Sequence, residues 1–106
     1  MRYRVTITPG AEQDLRTAYR YIRQQGAPKA AISWLAGARK KINTLAEHPE
    51  RAHFAPESTS FHEPIRELLY GRGNRGSYRI LFVILDDAVF VLHIRHGSML
   101  PMELEE

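Results

Sequence analysis

No cysteine occurs among the 106 residues. A disulfide framework, a thiolate metal site and a thiol nucleophile are therefore excluded. Long apolar runs are missing as well. The longest, Ile80 to Leu85, has six residues, against the roughly 20 that a membrane-spanning helix requires. The first twenty residues alternate charged and apolar side chains, without the apolar core of a signal peptide. Paired metal-ligand spacings are absent, and so is a glycine cluster ahead of a helix. The expectation is a soluble cytoplasmic protein with no metal, no cofactor and no membrane partner.

The chain has enough apolar material to fold. Its hydrophobic fraction is 43%, which argues against wholesale disorder, and 106 residues suit one domain of the usual size, about 100–150 residues. Lysine and arginine number 15 against 12 acidic residues, a net charge of +3. The excess is unevenly placed. Residues 1–48 carry +6, 49–64 carry −2, 65–98 carry +2 and 99–106 carry −3. The basic half should attract a polyanion, either nucleic acid or an acidic peptide; the alternative is a merely solvated helix face.

Periodicity divides the chain. Tyr3, Val5 and Ile7 alternate with polar residues, which predicts a strand over 2–8. Thr8 and Pro9 suit the N-cap and first position of a helix over 9–25, with Ala11, Leu15, Ala18 and Ile22 as its apolar stripe and Gly26 past its end. Pro28 opens a second helix over 28–47, with stripe Ala31, Leu35, Ala38, Ile42 and Leu45. The short connection makes the pair an antiparallel hairpin. Residues 49–64, with three prolines, predict a long loop partly anchored by Phe54 and Phe61. Strands are expected next over 65–70, 77–85 and 88–96, with a glycine-rich turn at 71–76, a tight turn at Asp86-Asp87 and a tail over 97–106. The order is β-α-α-β-β-β, an α+β fold with two helices on a small, mostly antiparallel sheet.

Few constellations carry chemistry. Gly71-x-Gly73-x-x-Gly76 imitates a dinucleotide motif but lies between two strands, where no helix N-terminus can hold a phosphate. His93 and His96, three apart on a strand, point to opposite faces and form no metal pair. What remains is a cationic sheet of Arg66, Arg79, Arg95 and His96, with Tyr70 and Tyr78. Arg79 interrupts an otherwise apolar strand, so it needs a partner. That partner is either Glu67 or Glu63, or else a phosphate or carboxylate of a ligand matched to its planar fork. A two-residue loop at Asp86-Asp87 pairs 79 with 94 and puts His96 on the face of Arg79. A three-residue loop pairs 79 with 95 and puts His96 with Tyr78. As a proton donor near neutral pH, His96 would be valuable.

The chain resembles the RelE/ParE superfamily of type II toxins over nearly its whole length. The similarity runs through Thr8-Pro-Gly-Ala-Glu-Gln-Asp-Leu15, Tyr21-Ile22, Pro28, Leu45, Pro49 and Ile65-Arg-Glu-Leu68. It continues through Gly76-Ser-Tyr-Arg-Ile80 and Val91-Leu-His-Ile-Arg-His-Gly97. The resemblance implies a toxin, also met as a plasmid stabilisation protein, neutralised in a hetero-oligomer by an antitoxin's acidic C-terminal segment. RelE-like members cut mRNA on the ribosome without metal; ParE-like members inhibit DNA gyrase without catalysis. A RelE-like site would use Arg79, His96 and Arg66. Its second strand cation falls on Leu68, its later basic pair falls around Gly97 to Met99, and its late tyrosine has no counterpart. The ParE-like branch is therefore favoured, with a RelE-like ribonuclease or an inactive member as the alternatives, although this chain carries glutamates where such chains often carry a basic end. Arg66, Tyr70, Arg79, Arg95, His96, Arg39 and Lys40 are the expected target- or antitoxin-binding residues.

Overall fold

A computed structural model describes residues 2–60, 62–71 and 78–97. Strand β1 spans Arg4–Ile7, helix α1 Pro9–Gln24 and helix α2 Pro28–Asn43. Strands β2 (His53–Phe54), β3 (Arg66–Tyr70), β4 (Tyr78–Leu85) and β5 (Ala88–His96) come after them. They form one five-stranded sheet in the order β1-β5-β4-β3-β2. β1 runs parallel to β5 and the other neighbours are antiparallel. The α+β expectation holds, with the helical hairpin on one face of the sheet.

The start of α1 obeys the local signals closely. The Thr8 hydroxyl accepts from the Ala11 N–H at 3.3 Å and donates to the Val91 carbonyl at 2.7 Å, so one residue caps the helix and ties it to β5. Gly26, with φ of 82°, takes the left-handed position past α1 that residues with a Cβ adopt at a cost. α2 begins differently. Its N-cap is Ala27, which makes no side-chain cap, and its first turn holds no acidic residue.

Three expectations need correction. The second helix stops at Asn43 rather than 47, because Thr44–Ala46 tightens into a 3₁₀ turn in which the Thr44 hydroxyl donates to Lys41 O at 2.6 Å. The segment 49–64 is not a plain loop. It contains turns at Pro49–Arg51 and Pro56–Ser60 and the short strand β2, which adds a fifth strand to the expected four. Its anchor is also different: Phe54 is 58% exposed, while Ala55 and Ile65 are buried against Leu81 and Val83. Phe61 lies outside the described residues, as do 72–77 and 98–106, so most of the glycine-rich turn and of the tail is not described.

The sheet therefore has a core on each face. Between sheet and helices, Leu15, Ile42, Leu45, Ile80, Phe82, Val89 and Val91 are fully buried. On the other face, the segment around Ala55 and Ile65 covers Leu81 and Val83, with Phe90 and Leu92 beside them. This second cover explains why β4 reads as a continuous apolar run rather than an alternating one.

The hairpin register combines features of both sequence alternatives. Leu85 pairs with Ala88 across the two-residue turn, with Asp86 at φ 56°, yet Arg79 pairs with Arg95. A bulge reconciles the two: Phe82 pairs with Val91 and Leu81 with His93, leaving Leu92 as the extra residue. The bulge coincides with the end of β1, whose last partner is Val91. Beyond it, Asp14 of α1 accepts from the Ile94 N–H at 2.9 Å and lies 3.3 Å from the His93 ring.

Two predictions arise from the helix contacts. A Cβ at Gly37 would overlap the Tyr70 hydroxyl and lie 3.1 Å from its Cζ. Glycine to alanine in a helix ordinarily stabilises by about 1 kcal/mol, but overpacking costs about 1–3 kcal/mol. Gly37→Ala should therefore destabilise the protein in urea unfolding, and adding Tyr70→Leu should reverse the sign. The Glu12 carboxylate accepts from Nη1 and Nη2 of Arg39, at 2.6 and 3.2 Å, and that hydrogen-bonded pairing lowers its pKa. A lowered folded pKa contributes stability above the unfolded carboxylate value and loses it as pH falls through the folded one. Glu12→Gln should flatten the acid limb of the stability profile, by no more than about 1 kcal/mol because the pair is partly solvated.

Candidate functional site

The bulge decides which chemistry can meet. Register pairs Tyr70 with Tyr78 and Tyr78 with His96, forming one row across β3, β4 and β5; Leu69, Arg79 and Arg95 form the next row. Adjacent rows face opposite sides of a sheet. Tyr70, Tyr78 and His96 thus face the helices, whereas Arg79 and Arg95 face the opposite side. A site combining Arg79 with His96 is not assembled, which corrects that expectation.

Arg79 is 7% exposed and its fork is filled from within. Its Nη1 and Nη2 donate to the two carboxylate oxygens of Glu57, at 3.0 and 2.5 Å, and its Nε donates to Glu67 at 2.9 Å. Glu57 itself is 2% exposed. Glu67 also lies 2.8 Å from the His53 ring. Hydrogen bonding to Glu57 is the main influence raising the Arg79 pKa, opposed by burial. Of the two anticipated partners Glu67 is present, and Glu57 takes the place given to Glu63. Nothing local in Pro56-Glu57 announces a buried carboxylate; only the path of this segment across the sheet does.

Arg66 is likewise engaged. Its guanidinium donates to Glu50 O at 3.0 Å and Ala52 O at 2.7 Å and stacks 4.4 Å from the Phe54 ring centroid. It ties the 49–54 segment to β3. Arg39 is held by Glu12. Arg95 is half-buried opposite Arg79, and Lys40 is exposed on α2.

Two further features stand out among the described residues. The first is aromatic. Trp34 of α2 meets Tyr78 edge-on at 4.9 Å and Tyr70 at 6.0 Å, and Tyr78 meets His96 edge-on at 5.1 Å. The Tyr70 hydroxyl donates to Trp34 O at 3.0 Å. Burial, and secondarily the phenol of Tyr21, push the Tyr78 hydroxyl above its ordinary pKa. Tyr21 itself is 59% exposed. Of the expected site residues, Tyr70 and His96 share the helix-side row through Tyr78, beside Trp34, while Arg79 and Arg95 are paired on the opposite face. Trp34 and Tyr21 were not among the expected site residues, because each lies off the apolar stripe of its helix and a single helical aromatic carries no signal of a site.

The second feature is cationic. Arg16, Arg20 and Arg23 recur along the solvent face of α1, and Lys29 and Lys40 along that of α2, all exposed, with Ile32 61% exposed among them. Arg20, Arg23, Lys29 and Lys40 make no ion pair among the described residues. Among the described residues there is also no cluster of three potential metal ligands, and no described helix is long and apolar enough to cross a membrane.

Residues 5–101 match the family of ParE toxins of the type II toxin–antitoxin system parDE. The chain belongs to that family. Among solved structures, this ParE-family toxin is similar to a chain of the chromosomal ParDE system from P. aeruginosa, with a TM-score of 0.69 at 17% identity. That match covers 89% of this chain and 95% of the other, and it shows a shared fold. A chain of the RelBE2 toxin–antitoxin complex from Mycobacterium tuberculosis is also similar, at 23% identity and a TM-score of 0.48, covering 91% of this chain and 99% of that one. A search of curated proteins finds no match.

Proposed function

We propose that this ParE-family toxin arrests growth by binding DNA gyrase in the cytoplasm, without catalysis, until a cognate antitoxin covers it. The observation that carries the reading is the state of Arg79. Metal-free RNA cleavage needs a cation at the scissile phosphate and an acid–base group beside it. Here the strand arginine is saturated by Glu57 and Glu67 and lies on the opposite face from His96. Membership of the ParE family supports the same branch.

The antitoxin reading rests on the hairpin. An acidic, partly disordered segment that orders on binding suits an unneutralised cationic face that also carries an exposed Ile32 on α2. It also suits the P. aeruginosa neighbour, which comes from a ParDE toxin–antitoxin system.

The deciding experiment compares two targets with one purified toxin. Gyrase supercoiling should stop at toxin concentrations comparable to that of the enzyme, while translating ribosomes leave their mRNA intact. Cleavage of mRNA in the ribosomal A site, with supercoiling untouched, would overturn the proposal in favour of a RelE-like ribonuclease.

A further inference from the structure

The two helices hold seven cations, Arg16, Arg20, Arg23, Lys29, Arg39, Lys40 and Lys41, against two carboxylates, Glu12 and Asp14. Both carboxylates are occupied elsewhere: Glu12 holds Arg39, and Asp14 accepts from the Ile94 N–H. The solvent face of the hairpin is therefore left positive. The bare start of α2 adds to it. With no side-chain cap and no acidic first turn, its free N–H groups and the positive end of its dipole stand beside Lys29.

One stretch of the chain has the complementary character. Residues 99–106, Met-Leu-Pro-Met-Glu-Leu-Glu-Glu, hold three glutamates, no cation and four large apolar side chains. They come directly after β5, and β5 ends at His96 against Tyr78, which in turn meets Trp34 of α2, two residues from Ile32. Seven residues of extended chain beyond Gly97 reach roughly 25 Å, which is ample for the outer face of a hairpin whose second helix is that close.

We propose that the acidic segment 99–106 docks on the cationic outer face of the helical hairpin, with its glutamates on Arg20, Arg23 and Lys29 and an apolar residue on Ile32. The segment then acts as a built-in competitor for any acidic peptide that binds this face. The docking itself is independent of the proposed function; only the identity of the excluded peptide, an antitoxin, rests on it. Tethering supplies a high effective concentration, so weak contacts suffice for partial occupancy, and an outside acidic peptide binds only the fraction left open.

The full chain offers a direct test, because it has no cysteine to compete for a label. A nitroxide on Leu104→Cys should broaden the amide resonances of residues 20–32. The broadening should vanish at about 0.5 M salt, where the Debye length falls to about 4 Å, and in the Arg20→Glu/Arg23→Glu variant. Broadening confined to other surfaces would overturn the proposal. So would broadening seen only when isotope-labelled protein is mixed with spin-labelled protein, since that reports a second copy. In a second measurement, Glu103→Gln/Glu105→Gln/Glu106→Gln should bind a polyglutamate peptide about 3–10-fold more tightly than the unchanged chain, as removal of a partly occupying competitor requires. Equal affinity would sink the competitor role. Neither measurement uses gyrase or an antitoxin, so a failure here is separable from failure of the proposed function.

Discussion

Arg79→Ala should lower the stability of this toxin by about 3–5 kcal/mol, the usual cost of breaking a buried ion pair by removing one partner. The reason lies in what the substitution leaves behind. Glu57, 2% exposed, would keep its charge away from water with its guanidinium gone, and Glu67 would retain only the His53 ring at 2.8 Å. Against a total of about 5–15 kcal/mol for a domain of this size, such a loss unfolds a substantial share of the protein. Urea unfolding of the purified variant measures it. Replacing the whole group together, as Arg79→Met with Glu57→Leu and Glu67→Leu, should recover most of the loss, because an apolar set of similar volume has no stranded charge. The triple variant also separates structure from function. If it folds, it should still arrest growth, since Arg79 then serves the fold alone; a folded triple variant without toxicity would place Arg79 on the target surface after all.

Phe82→Ala should cost a similar amount, about 3–5 kcal/mol, by an unrelated mechanism. Phe82 is fully buried in the core between sheet and helices, on the central strand β4. Its removal leaves a cavity among rigid β neighbours, and the surrounding strands can close it only in part. Thermal and urea unfolding should both register the loss. Growth arrest on induction should weaken in parallel with the amount of folded protein rather than with target affinity. Phe82→Leu should restore most of both, because it refills the greater part of the space.

These two residues mark different limits of reading from the chain. The place of Phe82 was legible beforehand, since an apolar run between turn signals specifies a buried strand wherever it folds. The need of Arg79 for a partner was equally legible, because a lone charge in such a run cannot stay unpaired. Which partner it takes was not. Glu67 lies one strand away, but Glu57 reaches Arg79 only because the turn at Pro56–Ser60 follows Ala55 onto the far face of the sheet, and its sequence reads as an ordinary loop. The same holds for His96. The turn at Asp86-Asp87 has the two-residue form considered from the sequence, yet the bulge at Leu92 shifts the register beyond it. One extra residue moves Arg79 and His96 to opposite faces, because side chains alternate along a strand.

Composition and local periodicity, both properties of the sequence alone, thus determined the absence of thiol chemistry, the positive charge of the first half, the cap at Thr8, the helical hairpin and the long strands. The sequence also carried enough family pattern to identify a toxin of the RelE/ParE kind. Only the tertiary structure decided which cations are spent inside the molecule and which stay outside. Periodicity acts over a turn of helix or a pair of strand residues, whereas neutralising a guanidinium depends on which distant carboxylate the folded chain delivers to it.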